Sequence, residues 1–101
     1  MAQLNTDRLQ ITGFSGMNNS TWTPVVCPLN QARGLRIVNN DGTNAISITT
    51  DTADATAVST VKVSSDILIQ LQSKLLRGWV KCETVLYVKG AGSQPVLHWT
   101  A

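Results

Sequence analysis

Short segments in which apolar and polar residues alternate recur along this chain, and they constrain its fold more than any other feature. Such segments occupy residues 35–38, 46–49, 61–63, 84–89 and 96–99, and Gly, Pro, Asn, Asp or Ser residues separate them. A period of two residues places successive side chains on opposite faces of a strand, whereas a helix needs a period of about 3.6. Repeated short strands divided by turn residues are typical of antiparallel sandwiches and barrels. We therefore predict an all-β protein, a small antiparallel β-sandwich or barrel.

The composition points the same way and limits the classes of partner. Charged residues make up 14% of the 101 residues, while Thr, which favours strands, is frequent. The net charge of +2 is small, and the densest basic cluster, Lys74, Arg77 and Lys81, is interrupted by other residues, which predicts no nucleic-acid partner. No apolar run reaches the roughly 18 residues of a membrane span or resembles a signal peptide. We therefore predict synthesis in a cytoplasm and no membrane partner.

The N-terminal residues differ in character from the rest of the chain. Two glycines and an Asn-Asn-Ser run interrupt the apolar positions there, so no sustained period develops. We predict an extended N-terminal arm over residues 1–22, with one short strand at residues 8–12, followed by a β-sandwich domain over residues 23–101. The alternative is that this segment is a frayed terminus or an edge strand of the same domain.

The dipeptide Asp41-Gly42 lies between two alternating segments. Gly tolerates a positive φ and Asp bonds its own backbone, so this pair is a strong hairpin signal. A calcium loop needs oxygen ligands at alternating positions and usually a bidentate Glu beyond them, whereas the one Glu of the chain is Glu83. We therefore predict a β-hairpin closed by residues 39–44, and no metal site.

Few residues offer catalytic chemistry. His98 is the single histidine, and its place in a strand segment predicts a half-buried or surface side chain. Cys27 and Cys82 are far apart in sequence and outside a C-x-x-C motif, which predicts free, buried thiols. Residues 90–92, Gly-Ala-Gly, lack the Lys and the following helix of a phosphate loop and predict a turn. We expect no catalytic residue, no cofactor and no enzyme activity.

The remaining candidates are aromatic residues and one irregular leucine. Trp79 and Trp99 neighbour apolar strand residues and are predicted in the core, whereas Trp22, beside a proline in a Thr-rich segment, is predicted at the surface. Leu68 breaks the alternation of residues 67–71, as expected for a strand covered on both faces or one that meets another chain. The segment SKLLRGWVKCE, residues 73–83, is compatible with one helical turn or with a strand and loop.

Three parts of the chain carry a family likeness. They are GLRIVNNDGTNAISITTD, the Val- and Ile-rich middle, and VLYVKGAGSQPVLHWTA. Over roughly residues 34–100 they resemble the small β-sandwich virion proteins of tailed bacteriophages, of the capsid decoration or cement type. The resemblance implies a non-enzymatic structural protein on the capsid surface of a virion, made in the host cytoplasm and bound to the phage major capsid protein. It also implies a homo-oligomer, a dimer or a trimer, and no cofactor.

We expect the protein interface to use apolar side chains that a lone domain would leave in water. These are Leu9, Ile11, Phe14 and Trp22 of the N-terminal arm, together with Leu68. Extended backbone laid along a neighbouring sheet would supply the binding energy, repeated many times around a shell. The alternatives are a neck, tail or fibre component, or a carbohydrate-binding host-recognition module in which Trp22 or Trp99 stacks on a sugar ring.

Overall fold

The computed structural model describes residues 9–71 and 78–101, and of Leu9 only the backbone. Eight β-strands and one 3-10 helix, Ala55–Ala57, form in this described part of the chain. The strands are β1 (Leu9–Gly13), β2 (Thr23–Val26), β3 (Gly34–Asn39), β4 (Ile46–Thr49), β5 (Ser59–Val61), β6 (Ser65–Gln70), β7 (Thr84–Lys89) and β8 (Val96–Thr100). The predicted helical turn, with Lys74 and Arg77 of the basic cluster, falls within residues 72–77, which lie outside the described residues.

The strands form two four-stranded antiparallel sheets that pack face to face. Sheet A has the order β1-β8-β3-β6, and sheet B has the order β2-β7-β4-β5. The prediction of an all-β sandwich is therefore confirmed, and the barrel alternative is not adopted. Along the chain each strand is followed by a strand of the other sheet, apart from the β4–β5 connection. Pairing of β1 with β8, β2 with β7, β3 with β6 and β4 with β5 is the jelly-roll arrangement.

The core lies between the inner faces of the two sheets. On sheet A, Trp99 lies beside Leu35 in one cross-strand row, and Leu97 lies beside Ile37 in another, all four buried. Sheet B contributes an equally apolar set: Val25, Ile46, Ile48, Val61, Leu86 and Val88. Full burial of such side chains contributes about 1.5–3 kcal/mol each relative to leaving them exposed. The core placement predicted for Trp99 is confirmed, and Trp79 is partly buried against the same core.

The loop after β3 joins the two sheets, so the predicted hairpin is wrong. β3 pairs with β8 and β6, and β4 pairs with β7 and β5, so neither strand has an edge left for the other. Gly42 does not have the positive φ for which glycine was expected at this position. The turn residues of this loop instead let the chain cross from sheet A to sheet B, over the roughly 10 Å that separates packed sheets.

Asn39 ties the end of β3 to sheet B from a fully buried position. Its Nδ2 donates to the carbonyl oxygens of Asn44 (3.0 Å), Val61 (3.2 Å) and Lys62 (3.3 Å), and its Oδ1 accepts from the Asp41 amide at 3.0 Å. A buried amide with both ends bonded fixes the loop without leaving an unsatisfied polar group. This one side chain therefore links β3, β5 and the crossing loop.

Asp41 joins this crossing loop to the loop between β7 and β8. Its carboxylate accepts hydrogen bonds from the amides of Thr43 and Asn44, both at 2.7 Å, and from the amide of Ser93 at 2.9 Å. The bond from Ser93 first, and then those from Asn44 and Thr43, hold the pKa of the Asp41 carboxyl well below its usual range. A Cβ at Gly92 would lie 2.5 Å from Asp41 Oδ2, so the junction also requires glycine there.

A bulge at the end of β2 brings the two cysteines close together. The Cys82 amide donates to the Cys27 carbonyl and the Cys27 amide donates to the Glu83 carbonyl, both at 2.9 Å. Cys82 has a φ of 72°, in the left-handed region that favours glycine. Both thiols are free, as predicted; Cys27 is buried but Cys82 is exposed, so the prediction of a buried thiol is wrong for Cys82. Cys82 lies in a turn, where side chains usually point to solvent, and this explains why its thiol is exposed.

Other local features follow the ordinary preferences of turns and edge strands. The Asp51 carboxylate accepts from the Ala53 amide and the Asp54 carboxylate from the Thr56 amide, as in many turns. β5 ends at the buried Val61, and Val63 beyond it is exposed. β2, which contains Pro24, is an edge strand, where a missing backbone donor is tolerated.

The N-terminal segment enters sheet A. Residues 9–13 form β1, which is the edge-strand alternative, while residues 1–8 lie outside the described part. A separate arm with a boundary at residue 22 stays a prediction.

Candidate functional site

The outer face of sheet A carries Ile11 and Leu68, the most exposed of the predicted interface side chains that the structure describes. Register pairs Ile11 with His98, His98 with Arg36, and Arg36 with Leu68, so these four residues form one row across all four strands. Ile11 and Leu68 are each 60% exposed and lie at opposite ends of the row. With neighbouring strands about 4.8 Å apart, the row is about 14 Å long. The two residues therefore belong to one surface.

A second row extends the apolar surface toward one end of the sheet. Gly13, Val96, Val38 and Asp66 are paired in that order across the strands. Val96 and Val38 are partly buried. On the other side of the first row, the backbone of Leu9 pairs with Thr100, Thr100 with Gly34 and Gly34 with Gln70.

The polarity of β1 is inverted relative to the other strands of its sheet. Gln10 and Thr12 occupy the inward register positions, beside buried Trp99 and Leu97, while Ile11 points outward. In a sheet with one solvated face, the usual pattern puts apolar residues inside and polar residues outside. The inverted order leaves Ile11 exposed to solvent.

Charge on this face is balanced. Arg36 Nε lies 3.4 Å from Asp66 Oδ2, and both side chains are about half exposed. An exposed pair of this kind contributes little to stability, about 0–1 kcal/mol. It does leave the middle of the apolar surface without a net excess of either charge.

The outer edge of β1 is a second feature of the same region. No strand in the described part of the chain pairs with this edge. The Phe14 amide donates to the Pro95 carbonyl at 3.0 Å. In an antiparallel ladder, alternate residues face the same neighbour. Gln10 and Thr12 therefore face β8, whereas the backbone groups of Ile11 and Gly13 face the free edge.

The other described edge strands carry features that discourage pairing. β2 contains Pro24 and an irregular register between Val25 and Val26, β5 has three residues, and β6 contains Asp66. Prolines, bulges, short length and charges are the usual protections of sheet edges. β1, Leu-Gln-Ile-Thr-Gly, has neither proline nor charge. Its edge is the one best suited to accept another strand.

The remaining predicted interface residues are partly occupied within the domain. Phe14 packs against the core, so the expectation that it would otherwise face water does not hold. Trp22 is half-buried, and the Lys89 Nζ lies 4.6 Å from the centroid of its ring. The side chain of Leu9 lies outside the described structure. An interface role for Leu9, Phe14 and Trp22 stays a prediction.

Trp99 is excluded as a sugar-stacking residue. It is 0% exposed, and a ring closed within the core cannot stack on a ligand. This corrects one of the two tryptophan alternatives. Trp22 is partly exposed, so the alternative in which it stacks on a sugar ring stays a prediction.

Cys27 and His98, the thiol and the imidazole considered above, lie on different sheets, with Cys27 directly after β2. His98 is half-buried on the outer face of sheet A, as predicted for a strand histidine. Cys27 lies buried at the end of β2 in sheet B, with its Sγ 3.5 Å from the Leu29 carbonyl oxygen. Burial raises the pKa of the Cys27 thiol, which disfavours the reactive thiolate. The core separates this thiol from His98.

Two further features of the described residues bear on ligands. They contain no group of three His, Cys, Asp or Glu side chains that could hold a metal ion. A groove of about 240 Å³ opens between the edges of β5 and β6. Its lining, Ile48, Thr49, Thr50, Ala57, Ser59, Ile67, Ile69 and Leu86, contains no titratable side chain, so the groove offers mainly apolar contacts.

Comparisons with protein-family models, curated proteins and solved structures gave no match. No helix in the described part of the chain is long and apolar enough to cross a bilayer. The two rows on the outer face of sheet A are thus described from this chain alone. Sequence reasoning named Ile11 and Leu68, but it missed that His98, Arg36, Val38 and Val96 share their surface. No local pattern reports this, because the register joins residues from four distant segments.

Proposed function

We propose that this protein is a non-enzymatic structural component of a tailed-phage virion, which decorates or cements the capsid by binding the major capsid protein. The observation that carries the proposal is the uncharged edge of β1, with which no strand of residues 9–71 and 78–101 pairs, next to the exposed Ile11. The likeness of residues 34–100 to small virion sandwich proteins supports it. The jelly-roll topology agrees with it at the level of fold, since this fold is common in viral capsid domains but also serves lectins and other functions.

The mode of binding follows from the backbone groups at this edge. An extended segment of the capsid protein adds beside β1 and bonds with the outward-facing amides and carbonyls of Ile11 and Gly13. Leu9, the first residue of β1, is an additional anchor in this proposal. Each contact is small, and repetition around a closed shell multiplies its effect. Such a protein needs no cofactor.

A substitution at Gly13 tests this binding mode without touching the core. A Cβ at Gly13 has no atom within 4 Å, so the site has room for a larger residue. Gly13→Pro removes the amide that faces the free edge and places a ring there, whereas Gly13→Ala keeps the amide. Purified variants are mixed with expanded capsids that lack the protein, the capsids are pelleted, and bound copies are counted by quantitative mass spectrometry.

We expect Gly13→Ala to bind as the wild type does and Gly13→Pro to bind about tenfold more weakly, since one lost hydrogen bond is worth about 1 kcal/mol and the ring obstructs the added strand. Thermal melts of both variants establish that the domain is folded. Equal binding by the two variants would show that the β1 edge is not the contact.

The number of copies bound by the wild type tests the location in the virion. A complement that scales with the number of capsid subunits is the result expected for a decoration protein. A single ring of copies would move the protein to the neck, tail or fibre. No binding at all would overturn the capsid proposal and bring forward the carbohydrate alternative, which titration of the Trp22 fluorescence with a glycan panel tests.

A further inference from the structure

We infer that the outer face of sheet A binds a second copy of this chain, in a two-fold dimer whose axis runs parallel to the strands. The inference goes beyond the capsid contact proposed above and does not rest on it. The dimer uses side chains on a sheet face, whereas the capsid contact uses the backbone edge of β1. Dimerisation is measured without any capsid, so the two proposals fail separately.

The order of side chains in the first row is self-complementary. A two-fold axis parallel to the strands reverses the strand order of the facing sheet, so β1 of one copy lies over β6 of the other and β8 lies over β3. Ile11 then faces Leu68 of the second copy, and Leu68 faces its Ile11. The two most exposed apolar side chains of the sheet, each 60% exposed, thereby cover each other twice.

The second row matches under the same rotation. Val96 of β8 faces Val38 of the second copy, and Val38 faces its Val96, so apolar side chains meet again. Both are partly buried within one copy and lose their remaining contact with water on pairing. Packed sheets are rotated by about 30° relative to each other, which keeps these neighbours in contact without exact superposition.

Charge selects this axis over the other possible one. A two-fold axis across the strands, through the first row, would place Arg36 over Arg36 of the second copy. The strand-parallel axis places Arg36 over His98 instead, and Arg36 stays beside its own Asp66 at 3.4 Å. Like charges brought together in a desolvated interface oppose association. The strand-parallel dimer avoids that contact.

The size of the face sets the strength of the dimer. The face is four strands wide, at about 4.8 Å per strand, and five residues long, at about 3.4 Å per residue. Its area is therefore about 300 Å² per copy. Stable complexes usually bury about 800 Å² on each partner. We therefore expect a concentration-dependent equilibrium between monomer and dimer, with a dimer that multivalent attachment to a shell would reinforce.

Sedimentation velocity over a wide concentration series tests the inference with charge substitutions. Ile11→Glu and Leu68→Lys each place an unpaired charge in the apolar pair, and we expect each to weaken the dimer at least about tenfold. The double variant, with both changes in one chain, sets the introduced carboxylate of each copy against the introduced ammonium group of the other. We expect it to recover most of the wild-type dimer. Val26→Glu, an exposed aliphatic position on β2 of sheet B, is the control and leaves the equilibrium unchanged.

Each outcome decides the matter. A wild-type chain that stays monomeric at the highest concentration, or that forms trimers, overturns the inference. Single variants that dimerise like the wild type show that another surface is used. A double variant as weak as the single variants rules out the strand-parallel axis, since only that axis brings residues 11 and 68 together. Circular dichroism establishes that each variant is folded, as expected for substitutions at exposed positions.

Discussion

The two sheets have similar inner faces and different outer faces. On sheet A, the first outer row has Ile11 and Leu68 at its ends, both 60% exposed. On sheet B, the described outer positions include Pro24, Ser47, Thr49, Thr60, Tyr87 and Lys89, and the exposed aliphatic residue is Val26 at the end of β2, 45% exposed. Thr49 is covered because its hydroxyl bonds with the carbonyl oxygens of Asp51 and Ala57.

The difference shows which apolar residues serve the fold and which do not. Apart from Gln10 and Thr12 on β1, both inner faces are mainly apolar because the core requires it, and a solvated outer face is ordinarily polar. The outward Ile11 and Leu68 add nothing to the core. Exposed aliphatic side chains at both ends of one row make this face the one that we propose for contact with other molecules.

The sharpest test of this comparison is the same substitution on the two faces of sheet A. Leu35 is fully buried and Leu68 is exposed. We expect Leu35→Ala to lower the free energy of unfolding by about 3 kcal/mol, because it leaves a cavity in the core. We expect Leu68→Ala to change it by less than about 0.5 kcal/mol. Urea denaturation at a dilution where the chain is monomeric measures both, and equal losses would mean that Leu68 packs against its own chain.

The next largest effect is expected where a single side chain joins the two sheets. Asn39→Asp keeps the shape of the residue but removes the donors to three carbonyl oxygens and brings a carboxylate against them. We expect a loss of about 2–3 kcal/mol in the free energy of unfolding. Asn40→Asp, at the exposed neighbouring position, is the control.

The same variant tests whether the sheets are one cooperative unit. Tryptophan fluorescence and far-UV circular dichroism are expected to give coincident transitions for Asn39→Asp. Separate transitions would show that the sheets unfold independently, and the comparison of their faces would then concern two units instead of one.

A smaller effect concerns the junction between loops at one end of the sandwich. The pKa of Asp41 is lower in the folded chain than in the unfolded chain, where a carboxyl has a pKa of about 3.9. Its ionised form therefore stabilises the fold above that pH, and the contribution is lost as the pH falls through the folded pKa. We expect the difference in Tm between the wild type and Asp41→Asn to be largest near neutral pH and to shrink as the pH falls below about 4. A difference that is constant over this range would contradict the assignment.

The smallest expected effect lies at the edge of sheet B, where local strain is the unusual feature. Cys82 has a φ of 72°, so Cys82→Gly removes the steric penalty of a side chain in the left-handed region. Glycine also loses more entropy on folding, and the net gain in the free energy of unfolding is about 0.5 kcal/mol. Cys82→Ala keeps the Cβ and is expected to be neutral. A glycine variant no more stable than the alanine variant would argue against strain at this position.

Much of the fold was predictable because the alternation of apolar and polar residues that marks a strand is visible over a few neighbouring positions. Alternation indicated β3, β4, β7 and β8, and the low charge with frequent Thr indicated an all-β protein. The hairpin prediction at Asp41-Gly42 was wrong because a turn signal reports that the chain bends, not which strand it pairs with afterwards. Here β3 and β4 found better partners in β8 and β7, both more than 30 residues further along the chain.

The candidate interface was predictable only in part. Ile11 and Leu68 stood out as apolar residues without a place in the core pattern, and both are exposed. Phe14 was also expected to be exposed, but it packs against the core, through contacts with residues distant in sequence. The positive φ of Cys82 and the bond from Ser93 to Asp41 also have no local signal, since cysteine is unusual in such turns and Ser93 lies 52 residues from Asp41.

The sequence by itself determined that this protein is built from short strands with apolar inner faces, because side-chain alternation and turn residues act over a few positions. Only the tertiary structure decided the jelly-roll order, the crossing of the β3–β4 loop between sheets, and the row that brings Ile11, His98, Arg36 and Leu68 together. Pairing between distant strands depends on the fit of the whole core, and one residue of register decides which side chains face the core and which face a partner.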